Sequence, residues 1–235
     1  MNTTIFKEWL KSLPVTAIHP VVSFNPKNQR LVKMDFTEAN TGLTAEVIED
    51  TGRFSVFVSG VLAENEAEFG IGGYAENRTV YSRSRVFDAE SGTSPRRLHL
   101  GIDIWGKAGT AVFAPFNGMV HSFAFNNRLG DYGATIILEH STPHLLFYSL
   151  YGHLSLRDIE SLEEGQLIEA GQLFAHFGAP GENGHWPPHL HFQLILDMEG
   201  KKGDYPGVCS LPDKDHYLRN CPDPDLVLQL MQYAQ

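Results

Sequence analysis

Seven short β-rich runs, separated by turns rich in glycine, proline and asparagine, fill most of the chain between residues 99 and 197. Strands at this spacing are typical of an antiparallel sandwich or a folded sheet, and they disfavour a fold of alternating β and α units. We therefore predict a mainly β protein, built on an open antiparallel sheet or a folded β-sandwich. The runs are HLGIDIW, TAVFAPF, GMVHSFAF, ATIILEH, HLLFYSLYGH, QLIEAGQLFAHFG and HLHFQLILD.

The two ends of the chain predict peripheral helices. TTIFKEWLKSLP has the apolar spacing of a short amphipathic helix, and DPDLVLQLMQYA predicts a capped closing helix. Among the early segments, RLVKMDF predicts a strand, RFSVFVSGVLAENEAEF fits a helix or a strand entering a helix, and the glycines of FGIGGYAENR indicate a loop. We divide the chain into an N-terminal appendage of mixed α/β structure, residues 1–86, and a β domain with a C-terminal loop and helix, residues 87–235.

Composition and charge exclude several function classes. The formal net charge of −10 disfavours nucleic-acid binding, which needs a basic surface, and provides no attraction to an anionic membrane. Lys7, Glu8 and Lys11 interrupt the apolar residues of the first segment, so we expect no secretion signal. No run approaches the ~18 apolar residues that a membrane span requires. We expect a cytoplasmic protein without nucleic-acid or membrane partners, whose oligomeric state the sequence leaves open.

Histidine and aspartate side chains recur on the predicted strands. Alternate residues of a strand share a face, so His99 and Asp103 would point to one side, and so would His189 and His191. The two runs offer two or three imidazoles and a carboxylate to a common cleft. Such groups bind zinc, and a zinc site that keeps a position for water carries out hydrolysis.

Two other interpretations fit the same spacing. Histidines on a strand face are often polar residues of a solvated surface. Two histidines and a carboxylate also form the facial triad of non-haem iron oxygenases. That triad usually begins as HxD, whereas this chain has HxxxD, which weakens the iron interpretation.

Four motifs follow one another along the chain: HxGxD, GTAVFAPxxGxV, YGHLS and HLHF. In this order, over about residues 97–194, the sequence resembles the lysostaphin/LytM-type zinc endopeptidases. The resemblance implies a fold of the duplicated hybrid motif type, one bound Zn²⁺ and hydrolysis of peptide or amide bonds. Carried over, the zinc ligands are His99, Asp103 and His191, and the catalytic histidines are His153 and His189. An imidazole accepts a proton from water, stabilises a charged tetrahedral intermediate or assists the leaving group. We assign the first role to His189 and one of the other two to His153, with the reverse left open.

Several features set this chain apart from wall-cleaving relatives. It is acidic, and the approach to HLHF is bulky, with Trp186 next to two prolines. The predicted substrate is therefore either a peptide of the bacterial cell wall or a small intracellular amide or peptide. The alternative function is a catalytically silent metal-binding or interaction domain that serves a partner enzyme.

The remaining candidate residues have less specific patterns. We expect His140 to pack or to support a ligand instead of being a ligand itself. We expect His185 to be a loop residue, and the alternative is that it contacts substrate at the mouth of the cleft. Tyr74, Glu76 and Arg78 fit a cleft wall, but surface salt-bridging is the favoured interpretation.

Overall fold

An eight-stranded sheet organises the computed structural model, which describes residues 3–88, 94–143 and 145–235. The strands are β1 Leu31–Met34, β2 Phe69–Gly72, β3 Arg96–His99, β4 Ile102–Trp105, β5 Ala111–Phe113, β6 Gly118–Asn126, β7 Gly133–Ser141, β8 Leu146–Leu154, β9 Leu167–Ile168, β10 Leu173–His176, β11 His189–Ile195 and β12 Val208–Ser210. The α-helices are α1 Thr3–Ser12, α2 Ala45–Glu49, α3 Thr51–Glu64, α4 Lys214–Asn220 and α5 Asp225–Leu228. Short 3-10 helices cover Val15–Ala17, Val80–Arg83, Arg85–Phe87, Leu156–Asp158 and Met231–Tyr233.

The main sheet has the order β1-β2-β4-β11-β8-β7-β6-β9. Every neighbouring pair is antiparallel except β1 and β2, which run parallel. Two small sheets pair β10 with β5 and β12 with β3. The mainly β, antiparallel architecture predicted from the sequence is confirmed. The boundary near residue 86 stays a prediction, and strands from both sides of it belong to the same sheet.

Strand β11 lies at the centre of this sheet and is buried along its whole length. Leu190, Phe192 and Leu194 point into the main hydrophobic core, because alternate residues of a strand share a face. Burial of a side chain of this size contributes about 1.5–3 kcal/mol to folding. The apolar alternation of HLHFQLIL thus fixes which side of β11 carries the histidines.

Two helices agree with the predictions from the sequence, and two other segments differ from them. Helix α1 is confirmed, and its Phe6 is fully buried. The ambiguous middle segment is helix α3, whose first turn is capped by the side chain of Asp50. The predicted loop FGIGGYAENR is wrong in part, because its first residues form strand β2. The predicted closing helix is too long, since α5 ends where Gln229 adopts a left-handed conformation with φ 51°.

Candidate metal centre

The pairing of β4 with β11 brings two of the predicted ligands together. In this antiparallel register Asp103 lies directly opposite His191. The third ligand, His99, is not on the same strand as Asp103, contrary to the prediction of one continuous strand. The strand ends at His99, and a new strand begins at Ile102. β3 pairs with β12, while β4 belongs to the main sheet. The turn at Gly101 nevertheless returns Asp103 to the side chain of His99.

Three buried ligand atoms converge at this point. His99 Nε2 lies 3.0 Å from His191 Nδ1. Asp103 Oδ1 lies 3.2 Å from His99 Nε2 and 3.1 Å from His191 Nδ1. Tetrahedral zinc with bonds of roughly 2.0–2.1 Å would separate its ligand atoms by about 3.3 Å, close to this spacing.

Hydrogen bonds on the far side of each imidazole set its tautomer. His99 Nδ1 lies 3.0 Å from the carbonyl oxygen of Gly73, and His191 Nε2 lies 2.9 Å from Oε1 of Gln193. The Gln193 amide is oriented because its Nε2 donates to the Pro206 carbonyl. Since carbonyl oxygens only accept, both outward nitrogens carry the proton and both inward nitrogens present lone pairs. Facing lone pairs beside a carboxylate oxygen repel one another, so this donor set fits a cation.

Gly101, the central residue of HxGxD, makes room for His191. A Cβ atom at this position would lie 2.6 Å from both Cε1 and Nε2 of the His191 ring and 2.8 Å from the Phe192 carbonyl oxygen. These separations are below any normal carbon contact, and the second involves backbone that cannot easily move. The glycine of the motif therefore has a packing function.

The charges around Asp103 come from an unexpected neighbour. Arg78 is 2% exposed and donates through Nη1 to Asp103 Oδ2 and through Nε to Glu76 Oε2. The expectation of surface salt-bridging is therefore wrong for Arg78, which sequence spacing could not place beside a residue 25 positions away. Tyr74 hydrogen-bonds to the Cys221 carbonyl instead.

These charges shift the titration of the converging groups. Burial raises the pKa of Asp103, but the permanent charge of Arg78 favours the carboxylate, and the pKa of Asp103 is held well below its ordinary value. Burial, reinforced by the charge of Arg78, lowers the pKa of His99 to about 4. The carboxylate is therefore ionised and the His99 imidazole is neutral near neutral pH, the forms that bind metals.

The two predicted catalytic histidines lie together beside this centre. The rings of His153 and His189 have centroids 4.1 Å apart, and His189 Nε2 lies 4.0 Å from Asp103 Oδ1. His189 is also stacked on the Trp105 ring at 3.9 Å. Burial lowers the pKa of His189 to about 4 and holds that of His153 well below its ordinary value, so both imidazoles are neutral near neutral pH.

A β-bulge aims His153 at the cleft. The register of β7 and β8 shifts between Ala134 and Ile136, and His153 on the bulged strand adopts a left-handed conformation with φ 63°. Bulges redirect side chains, and a non-glycine residue at positive φ stores strain that is concentrated at functional sites. The Nδ1 atoms of His153 and His189 each lie 2.8 Å from a backbone carbonyl, of Asn183 and Pro187 respectively. Their Nε2 atoms are therefore left as acceptors.

A cavity of about 400 Å³ opens onto these groups. Asp103, His153, His189 and His191 line this cavity, and so does the buried Trp186, as its position in the sequence suggested. The region before β3 also contributes to the lining, with Arg78 and residues of the 3-10 helices Val80–Arg83 and Arg85–Phe87.

Besides Arg78, sequence reasoning assigned no role to two further residues at the site, Tyr132 and Gln193, and it treated His140 and His185 correctly. Tyr132 lines the cavity with its hydroxyl 3.4 Å from His191 Nε2, and Gln193 orients His191; only the alternation of β11 pointed to Gln193. His140 packs on Phe147 and hydrogen-bonds to Ser149, the expected packing role, and His185 is an exposed loop residue, as expected.

Comparison with known proteins identifies the family. Residues 97–203 match peptidase family M23. The chain is 35% identical over 92 residues to lipoprotein NlpD of Yersinia enterocolitica, covering 39% of this chain and 84% of that protein. The chain belongs to peptidase family M23. The lysostaphin/LytM-type resemblance is thereby confirmed, and other relatives carry the names of endopeptidases.

The chain spans little more than a third, or less, of the length of several other relatives. It is 30% identical over 125 residues to an L-Ala–D-Glu endopeptidase of Bacillus subtilis, covering 51% of this chain but 36% of that protein. Similar solved structures include the catalytic domain of lysostaphin from Staphylococcus simulans, with 24% identity, coverage of 57% and 80%, and a TM-score of 0.39. A zinc-containing peptidase from Vibrio cholerae has 26% identity, coverage of 46% and 30%, and a TM-score of 0.35. None of the helices in the described ranges is long and apolar enough to cross a membrane.

Proposed function

We propose that this M23 protein is a zinc-dependent hydrolase of peptide or amide bonds. The observation that carries the proposal is the convergence of His99 Nε2, Asp103 Oδ1 and His191 Nδ1 within 3.0–3.2 Å, with inward lone pairs set by outer hydrogen bonds. Three protein ligands and an accessible cavity are the arrangement of catalytic zinc sites, which keep one position for water or substrate.

The chain's own residues would manage the protons. When bound, Zn²⁺ would polarise a carbonyl oxygen and lower the pKa of water. His189 lies nearer the ligand atoms, and we assign to its Nε2 the proton released by the attacking water. The imidazolium so formed would stabilise the developing negative charge and then return the proton to the leaving amine. His153 would stay neutral, because two charged rings this close repel, and would accept a hydrogen bond from the leaving N–H.

We infer a peptide substrate. The cavity of about 400 Å³ holds a short segment of chain, and the name of the Bacillus relative specifies a bond between an L- and a D-residue. Peptides with D-residues are therefore the first substrates to test, before small intracellular amides. A cytoplasmic location remains a prediction.

Hydrolysis of defined peptides tests this proposal. Zinc-loaded protein is incubated with peptides containing an L-Ala–D-Glu bond or a D-Ala cross-link, and with matched all-L peptides, and the products are identified by mass spectrometry. We expect cleavage at one bond, loss of cleavage after chelation and recovery on adding zinc. Fully zinc-loaded protein that cleaves none of these peptides or simple amides would contradict the proposal and favour the silent metal-binding alternative.

A further inference from the structure

Arg78 reaches the metal centre from outside the residues that match the family. It lies between strands β2 and β3, whereas the match begins at residue 97. Its guanidinium is almost completely buried and bridges two carboxylates, those of Glu76 and Asp103. A buried arginine with fixed partners has a defined position, because its planar fork binds carboxylates in a set geometry.

The two oxygens of Asp103 have separate partners. Oδ1 faces the inward nitrogens of His99 and His191, while Oδ2 accepts a hydrogen bond from Arg78 Nη1. A carboxylate is able to bind a metal through one oxygen or through both. With Oδ2 held by the guanidinium, Oδ1 alone is available to an ion between the imidazoles.

The sheet provides space for this guanidinium. Gly72 on β2 lies directly opposite Asp103 on β4, and a Cβ atom at Gly72 would be 2.7 Å from Arg78 Nη2. The Phe36 ring lies 5.3 Å from the guanidinium carbon, and the Tyr81 hydroxyl is 3.4 Å from Nη1. Arg78 therefore has little freedom to move away from Asp103.

We propose that Arg78 is a positioning residue of the metal centre, which restricts Asp103 to ligation through Oδ1. The inference rests on the metal-binding part of the proposed function and does not require the peptide substrate. A guanidinium that merely occupied the site as a substitute cation would have the opposite effect, because its removal would strengthen metal binding. The sign of the change in affinity decides between these two roles.

Substitution of Arg78 tests the proposal on the full-length protein. Zinc affinity is measured by competition with a chromophoric chelator, and Co²⁺-loaded protein is examined by visible absorption. We expect R78M to bind zinc about 10–100-fold more weakly, the usual cost of losing a partner behind a ligand. Its Co²⁺ bands should weaken, because a second carboxylate oxygen would raise the coordination number. The matched control is R83M, since Arg83 is also buried on this segment but contacts Thr51 and Trp186 instead of Asp103; its affinity should stay within about threefold of the unmodified protein.

The outcomes separate this inference from the proposed function. R78M that binds zinc as tightly as the unmodified protein, or more tightly, with an unchanged Co²⁺ spectrum overturns the positioning role alone. Unmodified protein that binds no zinc overturns the metal centre and the inference together. If R78M does not fold, as judged by circular dichroism, R78K takes its place: one ammonium cannot reproduce the fork between Glu76 and Asp103, so about tenfold weaker zinc binding is expected, and unchanged binding overturns the inference.

Discussion

Replacing His191 by alanine is expected to remove stoichiometric zinc from the protein. His191 Nδ1 lies at the centre of the converging set, 3.0 Å from His99 Nε2 and 3.1 Å from Asp103 Oδ1. Its loss leaves two ligands, and the loss of affinity should exceed the about 100-fold upper cost of losing an outer partner. The measurement is zinc content by atomic emission after dialysis against metal-free buffer, with the fold checked by circular dichroism.

His185→Ala is the matched control for this substitution. His185 is an exposed loop residue six positions before His191, and its side chain does not line the cavity. The control should retain one zinc ion per chain. An H191A protein that also retains one zinc ion with unchanged affinity would show that the ligands have been assigned wrongly.

Replacing His153 or His189 by alanine is expected to separate catalysis from metal binding. Both rings line the cavity, and their Nδ1 atoms are held by backbone carbonyls, so Nε2 is the atom available to a substrate. Loss of a positioned acid–base group costs about 10²–10⁴-fold in rate. We expect kcat to fall in this range for each variant, while the zinc content stays at one ion per chain.

The readouts for these variants are peptide hydrolysis and zinc content on the same preparations. Activity within a few-fold of the unmodified protein in both variants would remove the histidines from the mechanism. Zinc lost from H189A together with activity would instead identify His189 as a ligand, in place of its proposed role.

Much of the β architecture is predictable because the alternation of apolar and polar residues within each strand indicates it. The alternation in HLHFQLIL predicts β11 and the face that carries His189 and His191, and the structure has both. The motifs also predict which side chains meet, and the structure brings His99, Asp103 and His191 together. Their role as metal ligands is part of the proposed function.

The features that sequence reasoning missed depend on contacts between distant residues. The break between His99 and Asp103 follows from the pairing of β3 with β12, more than 100 residues away along the chain. Strand β2 is formed by a glycine-containing segment whose sequence is typical of a loop. This segment is a strand because it pairs with β4. The residues around Arg78 in the sequence are typical of a charged surface segment. The pairing of β2 with β4 brings this segment to Asp103, where Arg78 is buried in an ion pair.

The most direct test of the metal centre is a crystal structure of zinc-loaded protein with anomalous data on both sides of the zinc absorption edge. We expect one anomalous peak per chain, from a zinc ion bound by His99 Nε2, Asp103 Oδ1 and His191 Nδ1, with His153 and His189 outside bonding distance. A peak bound by other side chains, or zinc-saturated crystals without a peak between these three atoms, would contradict it.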